Sequence, residues 1–381
     1  MIVALRTEPS VSSLAAATQA SPFSLPESAD MALLTSKERV LRTLSREEVD
    51  RVPVDVELTG EMRDKLLFHF GFHDEEEIFR LFGRDFRRVT ARYAGPECYA
   101  KNGQPSDVFG VASGGPTYAD TIGFRPFARV ESVTEIESYS WPDPDWWDFS
   151  DVPAQCERFR EYAVTGGEWS PFFCQACNMT GIGRFLELML EAPEIAEAIL
   201  SHIVDFYVAA SRRYFEAARG GIDIFFVGDD YGGKNGMLMS PALWRTLIRP
   251  QLARLYALAG EYGVHMMQHS CGSIRPVIGD MIELGLEVLD PVQIAAAEMN
   301  PEGLKAEFGD HLTFHGGVNT EDTLPFGTPA DVFRETRYLM DTLGAGGGYV
   351  VCGSQYLQTD IPIANVVAMY KAAGSISQEI V

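Results

Sequence analysis

The sequence is short of three things. It has only six cysteines in 381 residues: Cys98, Cys156, Cys174, Cys177, Cys271 and Cys352. That is too sparse for a disulfide framework and leaves thiols free as ligands or nucleophiles. Basic residues are few, 31 Lys and Arg against 54 Asp and Glu, for a net charge of −23. This excludes a nucleic-acid phosphate backbone or an anionic membrane surface as the main target, since both demand clustered cations. A run of about 18 apolar residues is missing too, so no transmembrane helix is expected. The first thirty residues carry a single Arg and no sustained apolar core, a poor signal peptide. A cytoplasmic, reducing location is the expectation. Several motifs are also lacking: H-E-x-x-H, G-x-S-x-G and a P-loop. The glycines of 344–348 precede an apolar run instead of following one, so they form no dinucleotide fingerprint.

What is present reads as a globular α/β chain. Hydrophobic content of 46% and charged content of 22% lie near globular averages. Residues 1–30, rich in Ser, Ala and Pro, read as a flexible tail, and Met31 as the natural start. Residues 31–381 form the body. Thr35 or Ser36 can cap a first helix bearing Leu41 and Leu44. Eight apolar runs bounded by turn residues follow: 51–58, 86–93, 172–178, 222–230, 263–272, 287–293, 312–319 and 348–355. Amphipathic stretches at 185–220, 240–262, 274–285 and 328–346 alternate with the later ones. Strands alternating with helices imply parallel βαβ units, and eight units are the arithmetic of a single (β/α)8 TIM barrel. The surplus at about 94–170, with its ESYSWPDPDWWDF segment (137–149), reads as a cap insertion between strands two and three.

The sharpest chemical feature is His269-Ser270-Cys271, at the end of the fifth run. Residues i and i+2 of a strand share a face, so these two side chains can converge. Cys352 lies towards the end of the eighth run. Barrel sites sit at the C-terminal ends of strands. One imidazole and two thiols suit Zn2+, with an open fourth position for substrate. The bland alternative is a buried histidine with two core cysteines. Asp229 and Asp230 end the fourth run. At most one of them faces the mouth, as a fourth ligand or an acid; the other reading is a turn cap. His315 is a candidate spare ligand or general acid. Cys174-x-x-Cys177 would put its thiols on opposite faces of a strand and reads as structural. His69 and His73 read as part of a solvated face.

The opening SKERVLRTLSREEVDRVPV, the WPDPD at 141–145 and the closing TDIPIANVVAMY (359–370) resemble the uroporphyrinogen decarboxylase superfamily across nearly all of 32–381. His269-x-Cys271 with distant Cys352 is similar to the zinc motif of its corrinoid-dependent methyltransferase branch. That resemblance implies a zinc enzyme moving a methyl group between a corrinoid, carried on a partner protein, and a small methyl donor or thiol or ether acceptor. A homodimer is compatible with it. The decarboxylases themselves carry an arginine-bearing stretch after the first strand. Here Pro53–Glu61 has three acids and no Arg. Two rivals therefore stand beside the methyltransferase reading: a metal-free porphyrinogen decarboxylase, and a non-catalytic member that binds metal or corrinoid.

Overall fold

The computed structural model describes residues 33–113 and 122–380. The expected tail and the start at Met31 lie outside the described residues. Thr35 caps the first helix, α1 (Ser36–Leu44), through a reciprocal capping box with Glu38.

Seven short strands make one parallel sheet: β1 (Phe86–Arg88), β2 (Ala163–Gly166), β3 (Ile224–Val227), β4 (His265–His269), β5 (Val288–Asp290), β6 (Thr313–His315) and β7 (Tyr349–Val350). Each pairs in parallel with the next in sequence order. Alternation divides their side chains between two layers. Phe86, Ala163, Ile224, Phe226, Met267, Val288 and Val350 form an inner apolar cluster with Val40 and Leu44 of α1. Val164, Phe225, Val227, Met266, Leu289 and Phe314 join the main core instead, which includes the long helix Pro193–Ala218. The result is an α/β fold with a curled parallel sheet.

Two expectations need correction. The barrel does not close as an eight-stranded ladder. The run 51–58 makes isolated parallel bridges, Val54 with Val351 and Leu58 with Leu357. Towards the β1 side the Asp85 N–H donates to the Val54 carbonyl at 2.9 Å, and the Val54 N–H donates to the Asp85 carboxylate at 2.8 Å instead of to a strand. Pro53 has no N–H to donate, which weakens any ladder here. Residues 172–178 are not the third strand but part of a helix, α2 (Phe172–Thr180). The third pairing segment is β2, four buried residues that the sequence reading had placed in the insertion.

The insertion between β1 and β2 therefore spans 89–162. Its described residues include short antiparallel pairings, Arg92–Tyr93 with Trp147–Asp148 and Ala112–Ser113 with Ile122–Phe124. Trp141 stacks on His202 and Trp147 tilts on Phe206, fastening the segment to the long helix.

Candidate metal centre

Strand register builds the centre. His269 pairs with Asp290 across β4 and β5, and Leu289 with Phe314 across β5 and β6. His269, Asp290 and His315 consequently end three adjacent strands on the inner face, opposite in parity to Leu289 and Phe314. Asp290 accepts from both neighbours: His269 Nδ1 lies 2.6 Å from one carboxylate oxygen and His315 Nδ1 2.5 Å from the other. His315 Nε2 lies 3.3 Å from Asp55, whose second oxygen accepts from Arg84 at 2.5 Å. A buried chain thus runs from Arg84 through Asp55, His315 and Asp290 to His269.

Its charges are fixed by its partners. Burial works against a cationic His315, but Asp290 and Asp55 outweigh it and push its pKa up to about 10. Burial also opposes charge on Asp290 and Asp55. His315 outweighs it for Asp290, and Arg84, followed by His315, for Asp55, so both stay below the ordinary carboxylate range. The expected spare ligand or acid, His315, is fully buried with both ring nitrogens occupied, by Asp290 and by Asp55.

His269 Nε2 faces the other way, 3.2 Å from Cys271 Sγ. The i, i+2 convergence expected from the sequence is present. Asp230 joins them, with Oδ1 accepting the Cys271 N–H at 2.8 Å and lying 3.6 Å from His269 Nε2. The donor atoms of Asp230, His269 and Cys271 all lie within 4.8 Å of one another. Glycine makes this possible. A Cβ on Gly272 would sit 2.4 Å from the Gly232 carbonyl carbon, at a φ of +79°. Two backbones touch there, drawing the loop after β3 against the loop after β4.

Of the acidic pair, Asp230 therefore faces the cluster. Asp229 is buried and accepts from the Phe173 and Cys174 N–H groups at 2.7 and 2.8 Å, holding the N-terminus of α2. Burial nevertheless pushes its pKa up to about 7. Cys352 is buried two residues beyond β7 and does not belong to the 4.8 Å cluster. Burial and the charges of Glu57, Asp55 and Asp290 hold its thiol well above the ordinary range. Cys174 and Cys177 lie on the helix α2, not on a strand, as free thiols both pushed up by burial. His69 and His73 are solvent-facing.

Asp290, Asp55, Arg84 and Gln355 escaped the sequence reading. Only Asp290 left a local signal, an acid ending an apolar run directly before Pro291. Gln355 donates from Nε2 to Cys271 Sγ at 3.0 Å. A cavity of about 480 Å3 opens over the cluster, walled by Leu58, Trp169, Cys174, Gln355 and Tyr356. A second, of about 460 Å3, shares Leu58 and Tyr356 and reaches Glu57, Arg88 and Phe226.

The donor set fits a soft divalent ion. For Zn–N of about 2.0–2.1 Å and Zn–S of about 2.3 Å, a tetrahedral site spaces N and S by roughly 3.5 Å. The 3.2 Å between His269 Nε2 and Cys271 Sγ is close to that. Asp290 at Nδ1 supplies the carboxylate that metal-binding histidines commonly carry on their other nitrogen.

The chain is 22% identical over 362 residues to methylcobamide:CoM methyltransferase MtaA of Methanosarcina barkeri, covering 90% of this chain and 98% of that protein. It is 23% identical over 261 residues to a methylated-thiol–coenzyme M methyltransferase of Methanosarcina mazei, covering 65% of each. The solved structure of a methyltransferase from Methanosarcina mazei matches with a TM-score of 0.65 at 20% identity, over 90% of this chain and 98% of that one. These likenesses concern the fold. The uroporphyrinogen decarboxylase (URO-D) family model matches residues 130–376, well over half of the sequence, and the chain belongs to that family.

Proposed function

We propose that the protein is a zinc-dependent methyltransferase that moves a methyl group between a corrinoid, held on a partner protein, and a small thiol or methyl ether. The observation that carries this reading is the convergence of His269 Nε2 and Cys271 Sγ under a cavity, with Asp290 fixing the histidine. Both curated relatives are methyltransferases by name, and both names include coenzyme M. His269 and Cys271 would hold the metal with Cys352 as third protein ligand and Asp230 as the neighbouring fourth group. The insertion 89–162 would cap the mouth of a barrel-like fold.

Bound zinc would supply Lewis acidity, holding a thiol as thiolate near neutral pH or polarising an ether oxygen. The protein's residues do the rest. Asp290 accepts the Nδ1 proton of His269, so Nε2, beside Cys271 Sγ, is the nitrogen that would ligate once a metal displaces its proton. His315, itself braced by Asp55, keeps Asp290 anionic. Trp169 and Tyr356 form aromatic walls that limit water around a transferring methyl group. Asp229 and Glu57, both pushed up to about 7, can hold or release a proton near neutrality.

A porphyrinogen decarboxylase reading draws on the arginines of the adjacent cavity. Arg84 is neutralised by Asp55 and Arg87 by Glu76. Arg88 and Arg158 remain, against Glu57 and Glu75. Eight carboxylates need more fork-like partners than that. Metal analysis of protein purified anaerobically, without a histidine tag, tests the choice. About one zinc per chain, with methyl transfer from methylcobalamin to a thiol, supports the proposal. Zinc-free protein with reduced thiols and porphyrinogen turnover would overturn it. Corrinoid binding without methyl turnover would favour a non-catalytic member.

A further inference from the structure

The proposed reaction poses a chemical problem that rests on the reading above. Cys271 would be a zinc-bound thiolate beside an activated methyl group. It is then a nucleophile of the same kind as the thiol acceptor. If its sulfur lone pair attacked the methyl carbon, an S–C bond would form and the Co–C bond would break. The bonding pair would stay on cobalt as cob(I)alamin, and the enzyme would be left with a dead thioether ligand.

We propose that Gln355 suppresses this self-methylation and so directs the methyl group to the external acceptor. Its amide orientation is set by geometry. The Tyr356 N–H donates to Gln355 Oε1 at 3.0 Å, so the Nε2 end must face Cys271 Sγ, 3.0 Å away. An N–H donor on a thiolate withdraws charge from sulfur, and a less basic sulfur is a weaker nucleophile. The same bond leaves the sulfur able to ligate.

The placement is braced from both sides. Gln293 Oε1 accepts the Gly272 N–H at 2.7 Å, next to Cys271, and its Nε2 donates to the Ser354 carbonyl at 3.4 Å, next to Gln355. One side chain therefore ties together the two loops that carry donor and acceptor. Ser354 is anchored again, its N–H donating to the Val318 carbonyl at 2.7 Å and its Oγ lying 3.0 Å from Thr320 Oγ1. A Cβ on Gly353 would meet the Gln355 carbonyl oxygen at 2.8 Å, so this loop is folded tightly on itself. An amide on a loose surface loop would have neither brace.

The test is chemical and does not depend on turnover. Zinc-loaded wild type, Gln355→Leu and Gln355→Glu are exposed to methyl iodide at one pH. Methylation of each cysteine is followed by peptide mass spectrometry, with zinc content measured in parallel. Gln355→Leu removes the donor, and Gln355→Glu keeps size and shape should the leucine variant fold poorly. Loss of one charge-assisted hydrogen bond should speed methylation of Cys271 roughly tenfold in both variants, with Cys98 and Cys156 unchanged. Zinc-loaded variants whose Cys271 reacts at the wild-type rate would overturn the proposal while leaving the zinc reading intact. A wild type that takes up no zinc would overturn both.

Discussion

Replacing Asp290 with asparagine tests whether the buried chain serves the metal centre. The carboxylate accepts the Nδ1 protons of His269 and His315, at 2.6 and 2.5 Å. Asparagine keeps the shape but offers one acceptor and one donor. If its amide N–H faces His269, Nδ1 must become the acceptor and the ring proton moves to Nε2, the atom that faces Cys271. If the N–H faces His315, a cationic imidazole cannot accept it, and His315 must lose its proton or break the contact. Either arrangement removes one function that the aspartate performs. Loss of an outer-shell carboxylate typically weakens metal binding about 10- to 100-fold, or roughly 1.4–2.8 kcal/mol. Competition with a chromophoric chelator at pH 7 reads this directly. Circular dichroism and thermal melting of the metal-free forms show whether the fold survives. A folded Asp290→Asn protein with wild-type zinc affinity would refute the claim that Asp290 sets the His269 tautomer for ligation.

Metal-free protein should lose stability as pH rises. The folded pKa of His315 is about 10, so its stabilisation is complete below the unfolded value of about 6.5 and disappears as pH climbs through 10. Up to about 5 kcal/mol depends on this group, and His315→Gln should flatten the decline in melting temperature between pH 6.5 and 10. Glu57 and Asp229, both raised to about 7, add a decline in the same direction at lower pH, from about 4 to 7. Zinc stoichiometry should fall well below one in Cys271→Ser and Cys352→Ala; retention in Cys352→Ala with loss in Asp230→Ala would make Asp230 the third ligand instead. Gly272→Ala should cost about 2–3 kcal/mol, because its Cβ would strike Gly232 at a positive φ. Gly71→Ala, also at positive φ but with nothing within 4 Å, should cost only about 1 kcal/mol, and equal losses in thermal melts would undo the close-contact argument.

Much of this was legible because short buried parallel strands leave apolar runs ending in chemistry. The runs at 222–230, 263–272, 287–293, 312–319 and 348–355 each contain the observed strand. The i, i+2 rule brought His269 and Cys271 together without any knowledge of the fold. The segment 172–178 deceived because a nearly all-buried helix turn has no polar face to betray its period. β2 hid because four residues between a charged helix and a glycine pair carry little pattern. The Arg84–Asp55–His315–Asp290 chain was invisible for another reason. Its members are 25 to 260 residues apart, and only register and the curl of the sheet bring them level.

The charge balance of the mouth separates the two substrate classes that the fold could serve. Asp55 and Asp290 are held as anions, and Asp230 lies beside His269. Against them stand Arg84 and His315, each already engaged by those same carboxylates. Little positive charge is left over, and Glu57 and Asp229 become anionic at about pH 7. A polyanion entering this cavity would face repulsion in a partly desolvated space, where charge interactions are strong. A divalent cation would find the opposite: surrounding carboxylates, and donors that become ligands as it displaces their protons, since burial opposes charge on His269 but Asp290 and Cys271 outweigh it and hold its pKa well above the ordinary value. Its charge would lower the energy of every thiolate near it. Cys352 shows the point. Without a cation its thiol is held protonated by burial and by Glu57, Asp55 and Asp290. Cation binding would reverse that balance, so zinc uptake should release protons, and calorimetry in buffers of different ionisation enthalpy would count them.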